Sequence, residues 1–365
     1  MNPMGITATR PSSLATLFPG YFALVMATGI VSLAAHFLGM ELIAQLLLWI
    51  NVIAYVVLWV LTLARLARYR SEFIDDLTHH ARGVTFLTVV AGTCVLGSQF
   101  AILTPLMPVA GGLWLLGLAL WLLLTYTFFT VVTVREQKPA LENGINGAWL
   151  LIIVSTESLC VLGTSVATAL GAAQLVLLIS LGAYLAGGML YFSFITLILH
   201  RWIFFDLKPE KLMPSYWINM GAVAIATLAG SRLLLSANQW GFLQGLAPFL
   251  TGLTFFFWAT ATWWIPLLFI VGIWRHGAGR VPLTYDPQYW SMVFPLGMYT
   301  AATFMLAKAT GVTLLNAIPA IFIYVALAAW GITFVAMIAH LVRLIAHPAT
   351  RRLPQIKMAE EQSKE

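Results

Sequence analysis

The sequence predicts an all-α polytopic membrane protein: ten transmembrane helices arranged as five helical hairpins. Three observations predict it. Of 365 residues, 61% are hydrophobic and only 9% charged, where a soluble globular chain carries roughly 25% charged residues. A soluble fold this apolar could not cover its own surface, so most of that surface must face lipid. The apolar runs last about 20 residues without period-2 alternation, which selects helices over a closed barrel. Basic residues, finally, fall only in alternate connections between the runs.

The elements follow in order from apolar runs and their polar punctuation. Residues 1–17 hold one basic residue, Arg10, and no apolar core of signal-peptide length, so they are expected to stay as a cytoplasmic N-terminal segment. Span 1 (18–39) opens on Phe18-Pro19-Gly20. Span 2 (42–64) stops at Arg65, Arg68 and Arg70. Span 3 (83–104) starts behind Arg82, and span 4 (111–134) ends on Arg135 and Lys138. Span 5 (147–170) begins at Gly147, and span 6 (175–199) stops before Arg201. Span 7 (216–236) follows Lys208 and Lys211. Span 8 (245–273) ends before Arg275 and Arg280. Spans 9 (289–309) and 10 (314–345) complete a transport domain of residues 18–345, leaving a polar tail of residues 346–365.

The connections after odd spans are short or lack basic residues. Those after even spans carry the arginines and lysines just named, and Arg10, Arg343, Arg351, Arg352, Lys357 and Lys364 belong to the same side. By the positive-inside rule both termini are cytoplasmic in a multi-pass protein of a bacterial inner membrane. This distribution accounts for the net charge of +6 and disposes of nucleic acid as a partner. Odd spans begin near residues 18, 83, 147, 216 and 289, so one helical hairpin recurs five times. Five hairpins do not divide into the two inverted halves of many transporters.

Odd and even spans differ in kind. The odd spans hold most of the hydroxyls, including Thr28, Thr93 and the run from Ser155 to Ser158, and many of the helix-perturbing residues, Gly29, Gly97, Gly221, Pro295 and Gly297 among them. The even spans are dense in Leu, Trp and Phe. The contrast predicts odd helices forming an inner pore ring and even helices an outer, lipid-facing ring, with Thr28, Gly29 and Thr93 among the candidate lining residues.

Three ionisable residues lie within spans, all of them odd: Glu157, Arg232 and Lys308. Intramembrane charges are costly and default to functional roles. Glu157 is roughly 15 Å into its helix, too deep to reach water, and is expected to be neutral or paired with Arg232. Arg232 and Lys308 sit near the outer ends, where two cations would draw anions inward; each is also close enough to its helix end to snorkel. A protonatable Glu157 would allow proton coupling, and an ionised one would suit a cationic substrate. The histidines make no metal-ligand spacing, Cys94 and Cys160 lie in separate apolar runs, and no phosphate-binding loop or nucleophile elbow is present. No metal, cofactor, enzyme or ATP-driven pump is expected. A sensor would carry a signalling domain, which the short tail does not supply.

Three stretches in this order, PGYFALVMATGIVSL from Pro19, NGAWLLIIVSTESL from Asn146 and YWSMVFPLGMYTAATFMLAKA from Tyr289, resemble the tellurite-resistance/dicarboxylate transporter family. That family takes in bacterial TehA-type proteins, fungal malate and sulfite transporters and the slow anion channels of plant guard cells. The resemblance covers nearly the whole chain. It implies inner helices around a central pore, usually in a homotrimer, and transport of small anions, either C4-dicarboxylates such as malate or sulfite and other oxyanions. It also implies a phenylalanine of the ninth helix plugging the pore, a position that matches Phe294. The adjoining Pro295 would kink the helix there. The rival reading is an exporter of cationic or toxic compounds, of the tellurite or drug resistance type, that uses Glu157.

Overall fold

A computed structural model describes residues 13–346. Arg10, His347, Arg351, Arg352, Lys357 and Lys364, with most of both polar terminal segments, lie outside the described residues. The described residues are helices and connections without a strand, and ten helices are long and apolar enough to cross a membrane. They are α1 (Pro19–Phe37), α2 (Glu41–Arg68), α3 (Gly83–Leu103), α4 (Met107–Val134), α5 (Gly147–Val166), α6 (Ala173–Phe204), α7 (Pro214–Leu235), α8 (Ala247–His276), α9 (Pro287–Thr310) and α10 (Thr313–Leu344). Most boundaries lie within about four residues of the expected ones, the usual scatter of helix ends.

All five odd helices open on a 3-10 turn, and each turn begins with Pro or Gly: Pro19, Gly83, Gly147, Pro214 and Pro287. Proline suits a first helical position, where its missing N–H is not needed. Gly147 is required by close approach, since a β carbon there would lie 2.6 Å from Tyr216 Cα.

The two sets of helices are buried to different degrees. Between 78 and 94% of each odd span's most apolar window is buried, against 17–44% for the even spans. The odd helices pack in the order α1, α3, α5, α7, α9, and α9 returns to α1, so the five close on themselves. Each even helix packs beside its own hairpin partner and the next odd helix. Glycines set the inner spacing: β carbons on Gly97, Gly221 and Gly297 would come within 2.5–2.8 Å of Leu162, Pro295 and Val31 on neighbouring inner helices.

Hydrogen bonds tie each outer helix to the odd helix that follows it. Tyr55 Oη meets Thr93 Oγ1 at 2.9 Å, and Trp121 Nε1 donates to Thr156 Oγ1 at 2.8 Å. Tyr191 Oη donates to the Asn219 carbonyl at 3.2 Å, Trp258 Nε1 to Thr303 Oγ1 at 3.1 Å, and Trp330 Nε1 to Thr28 Oγ1 at 2.9 Å. The last bond joins α10 to α1, so every hairpin is fastened to the next. Not all aromatic residues of the even helices face lipid as the composition suggested: Trp49 and Trp263 are exposed, whereas Trp114 and Trp264 are buried. Thr156→Val leaves the Trp121 N–H without its acceptor, and we expect a loss of about 0.5–2 kcal/mol, read as a lower melting temperature in detergent. An unchanged melting point would mean that packing alone holds this contact.

Arginines anchor the basic end. The Arg65 guanidinium donates to the carbonyls of Ala15 and Leu17 and pairs with Asp76 at 2.6 Å, and Arg82 reaches the same carboxylate at 3.1 Å. Arg201 donates to the Glu142 carbonyl at 2.7 Å and to the Tyr216 hydroxyl.

Candidate functional site

The bonds to outer helices mark the outward face of each inner helix, and the opposite face follows from about 100° of rotation per residue. On α9 the outward side carries Tyr299, whose hydroxyl meets Thr262 of α8 at 2.8 Å, and Thr303, which accepts from Trp258. Phe294 precedes Thr303 by nine residues, a rotation of about 180°. Its ring points into the set of inner helices and is fully buried.

Depth agrees with this placement. Thr28, Thr93 and Thr156 are each the sixth residue of α-helical stretches opening at Ala23, Thr88 and Leu151, and Pro295 is sixth from Trp290. In the preceding register stand Ala27, Gly92, Ser155, Ala222 and Phe294. Four helices carry small residues at the level where the fifth carries a phenyl ring. Pro295 lies inside the helix and has no N–H for the Ser291 carbonyl. Its ring packs on Gly221, so α7 abuts α9 at this level. The helical span opens at Pro287 rather than Tyr289, which puts Phe294 roughly 11 Å in, deeper than a count from Tyr289 gives.

Arg232 stands near the end of α7, two residues beyond Gly230, whose missing side chain makes room for Thr254 of α8 and Tyr184 of α6. Two residues turn the helix about 200°, which aims Arg232 away from the outer ring. Its Nη2 donates to Ser165 Oγ of α5 at 2.8 Å, and its Nε is buried without a partner. Lys308 is exposed at the end of α9, with no hydrogen bond or ion pair among the described residues. A solvated ammonium at a helix end fits snorkelling.

Four other candidates point elsewhere. The Thr28 hydroxyl accepts from Trp330 and the Thr93 hydroxyl meets that of Tyr55, so both face the outer helices. Gly29 is a packing glycine: a β carbon there would lie 2.5 Å from Val95 and 2.8 Å from Asn51 Nδ2. Glu157 is fully buried, and its carboxyl lies against Gly187 of α6 with neither oxygen hydrogen-bonded. Of the two states expected for Glu157, neutral or paired with Arg232, the pair is not formed. Arg232 turns to Ser165, and the ion pairs among the described residues are His36–Glu41, Arg65–Asp76 and Arg82–Asp76. No group of three or more His, Cys, Asp or Glu side chains that could hold a metal occurs among the described residues.

The remaining inner hydroxyls are mostly bonded to their own helix one turn back. Ser98, Ser155, Ser158, Thr227 and Ser231 all donate to carbonyls three or four residues earlier. Their protons are committed locally and they do not form a continuous row of free donors. Sequence reasoning missed the aromatic N–H and O–H donors of the even helices. The signal was available as Trp and Tyr in runs otherwise made of Leu and Phe, since a buried indole or phenol needs a polar partner.

The chain matches the model of the voltage-dependent anion channel family over residues 16–338. An uncharacterized membrane protein of Mycobacterium tuberculosis is 39% identical over 156 residues, 43% of this chain and 79% of its own length. An uncharacterized transporter of Methanocaldococcus jannaschii is 24% identical over 80% of this chain and 85% of its own. A sulfite efflux pump of Arthroderma otae is 24% identical over 88% of this chain and 90% of its own. With ten membrane helices whose odd members close on themselves and a family match across nearly all of them, the chain belongs to the voltage-dependent anion channel family.

Proposed function

We propose that the chain passes small anions along the axis of the five inner helices, with Phe294 as the plug and Pro295 holding the bend that presents it. The observation that carries this reading is the fully buried Phe294 ring on the inward face of α9, level with Ala27, Gly92, Ser155 and Ala222. Arg232 supplies a cation at one mouth, and Lys308 lies in the last turn of α9 at the same end. The small residues favour compact oxyanions, and the relation to a sulfite efflux pump makes sulfite the first substrate to test. C4-dicarboxylates such as malate come second. Proteoliposomes would be offered labelled sulfite, malate and chloride, with and without a pH gradient. Uptake of at least one anion, driven by membrane potential, is expected; uptake of none of them above empty liposomes would overturn the proposal.

Export of cationic or toxic compounds by way of Glu157 requires its carboxylate on the route. Glu157 lies between α5 and α6, its carboxyl against Gly187, so this reading loses its binding group, and proton coupling through Glu157 loses its path. Burying an unpaired carboxylate charge is costly, and a neutral amide of the same shape avoids that charge penalty. Glu157→Gln is therefore expected to leave both the flux and its pH profile unchanged. A flattened pH profile in this variant would return Glu157 to the pathway.

We further propose a homotrimer with both termini cytoplasmic in a bacterial inner membrane, and residues 18–345 as the transport domain. Support comes from the basic loops after the even spans and the wide apolar faces of the even helices. Reporter fusions at the C-terminus and cross-linking in membranes test the two points.

A further inference from the structure

A crevice of about 320 Å³ opens at the basic end between α6, α7, α8 and the start of α9, within the roughly 300–1,000 Å³ of small-molecule pockets. Its walls are almost wholly apolar, with Trp202, Tyr216, Trp217 and Phe269 as the larger groups. Phe269, Ile273 and Leu283 at its edge are 45, 71 and 78% exposed, so it opens sideways where lipid chains run. One cation, Arg275, borders it.

Arg275 differs from the other arginines at the ends of outer helices. Arg65 donates to the Ala15 and Leu17 carbonyls and pairs with Asp76, and Arg201 donates to the Glu142 carbonyl and the Tyr216 hydroxyl. The Arg275 Nε is buried without a partner, and its Nη1 has only the His276 imidazole, at 3.4 Å, among the described residues. A guanidinium that lacks acceptors, set at the head of an apolar slot opening to the bilayer, is complementary to an amphiphile with an anionic head.

We propose that this crevice binds an anionic phospholipid of the leaflet on the basic side, one acyl chain against Trp217 and Phe269 and the phosphate on Arg275. The site lies outside the inner ring, and the proposal stands apart from the anion pathway.

Gly272 lines the crevice, and a β carbon there meets nothing within 4 Å, so the side chain of Gly272→Leu can start there and extend into the space. The test is native mass spectrometry of the purified full chain titrated with phosphatidylglycerol, phosphatidylcholine or inorganic phosphate. Wild type is expected to retain phosphatidylglycerol about fivefold better than phosphatidylcholine, the worth of one basic side chain near an anionic head group. Arg275→Gln is expected to erase that preference while still holding lipid, and Gly272→Leu to lose both lipids with its melting temperature kept. Equal retention of the two lipids by wild type, or full retention by Gly272→Leu, would overturn the site. So would inorganic phosphate displacing the lipid, which would make it a soluble-anion site. A changed oligomer mass in Gly272→Leu would overturn it too, by assigning the crevice to a second copy of the chain. Arg275→Gln reads the head-group contact even if the leucine variant fails to fold.

Discussion

Replacing Phe294 by alanine is expected to raise anion flux tenfold or more in proteoliposomes. The ring lies on the inward face of α9, and its register partners on the other four inner helices are small. An ion passing that level must displace the ring or shed its water, and each barrier reduction of about 1.4 kcal/mol raises the rate tenfold. Truncating a buried phenylalanine also costs about 3–5 kcal/mol of packing. The helices themselves survive this in the bilayer because their backbone bonds are internal. Phe294→Leu separates the two effects: it keeps most of the packing, and it is expected to give flux between wild type and the alanine variant. Unchanged flux through Phe294→Ala protein that is inserted and folded would refute the gate. The neighbouring Gly221→Val offers an independent check, since a side chain there would collide with Pro295 and shift the segment that presents the ring.

The ten spans, their pairing and the contrast between odd and even helices were legible because bulk properties encode them. Length, hydropathy and the siting of basic residues need no knowledge of which way a side chain points. Direction was not legible in the inner helices. A helix buried on every side has no polar face to orient it, so nothing in the local pattern says whether Thr28 or Glu157 faces the axis or an outer neighbour. The answer lies in residues far away in sequence: Trp330, 302 positions on, donates its indole N–H to Thr28, and Gly187 of the next helix leaves the hollow that Glu157 fills. Phe294 was found through family resemblance rather than through its own surroundings, because this chain has 22 phenylalanines. The 3-10 turn at Pro287–Tyr289 lengthens its span at the start and sets the ring deeper than a count from Tyr289 gives.

Arg232 carries the second large effect. Its side chain points away from the outer ring, stays half-buried, and is tied to α5 through Ser165. That single bond leaves most of the guanidinium without an acceptor, so a passing anion meets a held charge with donors to spare. A unit charge about 8 Å from the ion path, at an effective dielectric constant of about 20, is worth roughly 2 kcal/mol. Arg232→Gln is therefore expected to lower anion flux by roughly an order of magnitude, and Arg232→Glu by more, with selectivity tilting toward cations. Lys308 is exposed at the same end, and salt screens its field within about 10 Å at 0.1 M, so Lys308→Gln is expected to change flux less than twofold. The ratio between the two variants tests the geometry more sharply than either alone. Equal losses would mean that both charges act only as a general surface field. A loss at Arg232 that persists in high salt would fit a direct contact, because a half-buried charge is screened far less than an exposed one. Full flux and unchanged selectivity in Arg232→Gln would take the residue off the anion route and leave Phe294 as the one inner side chain tied to permeation.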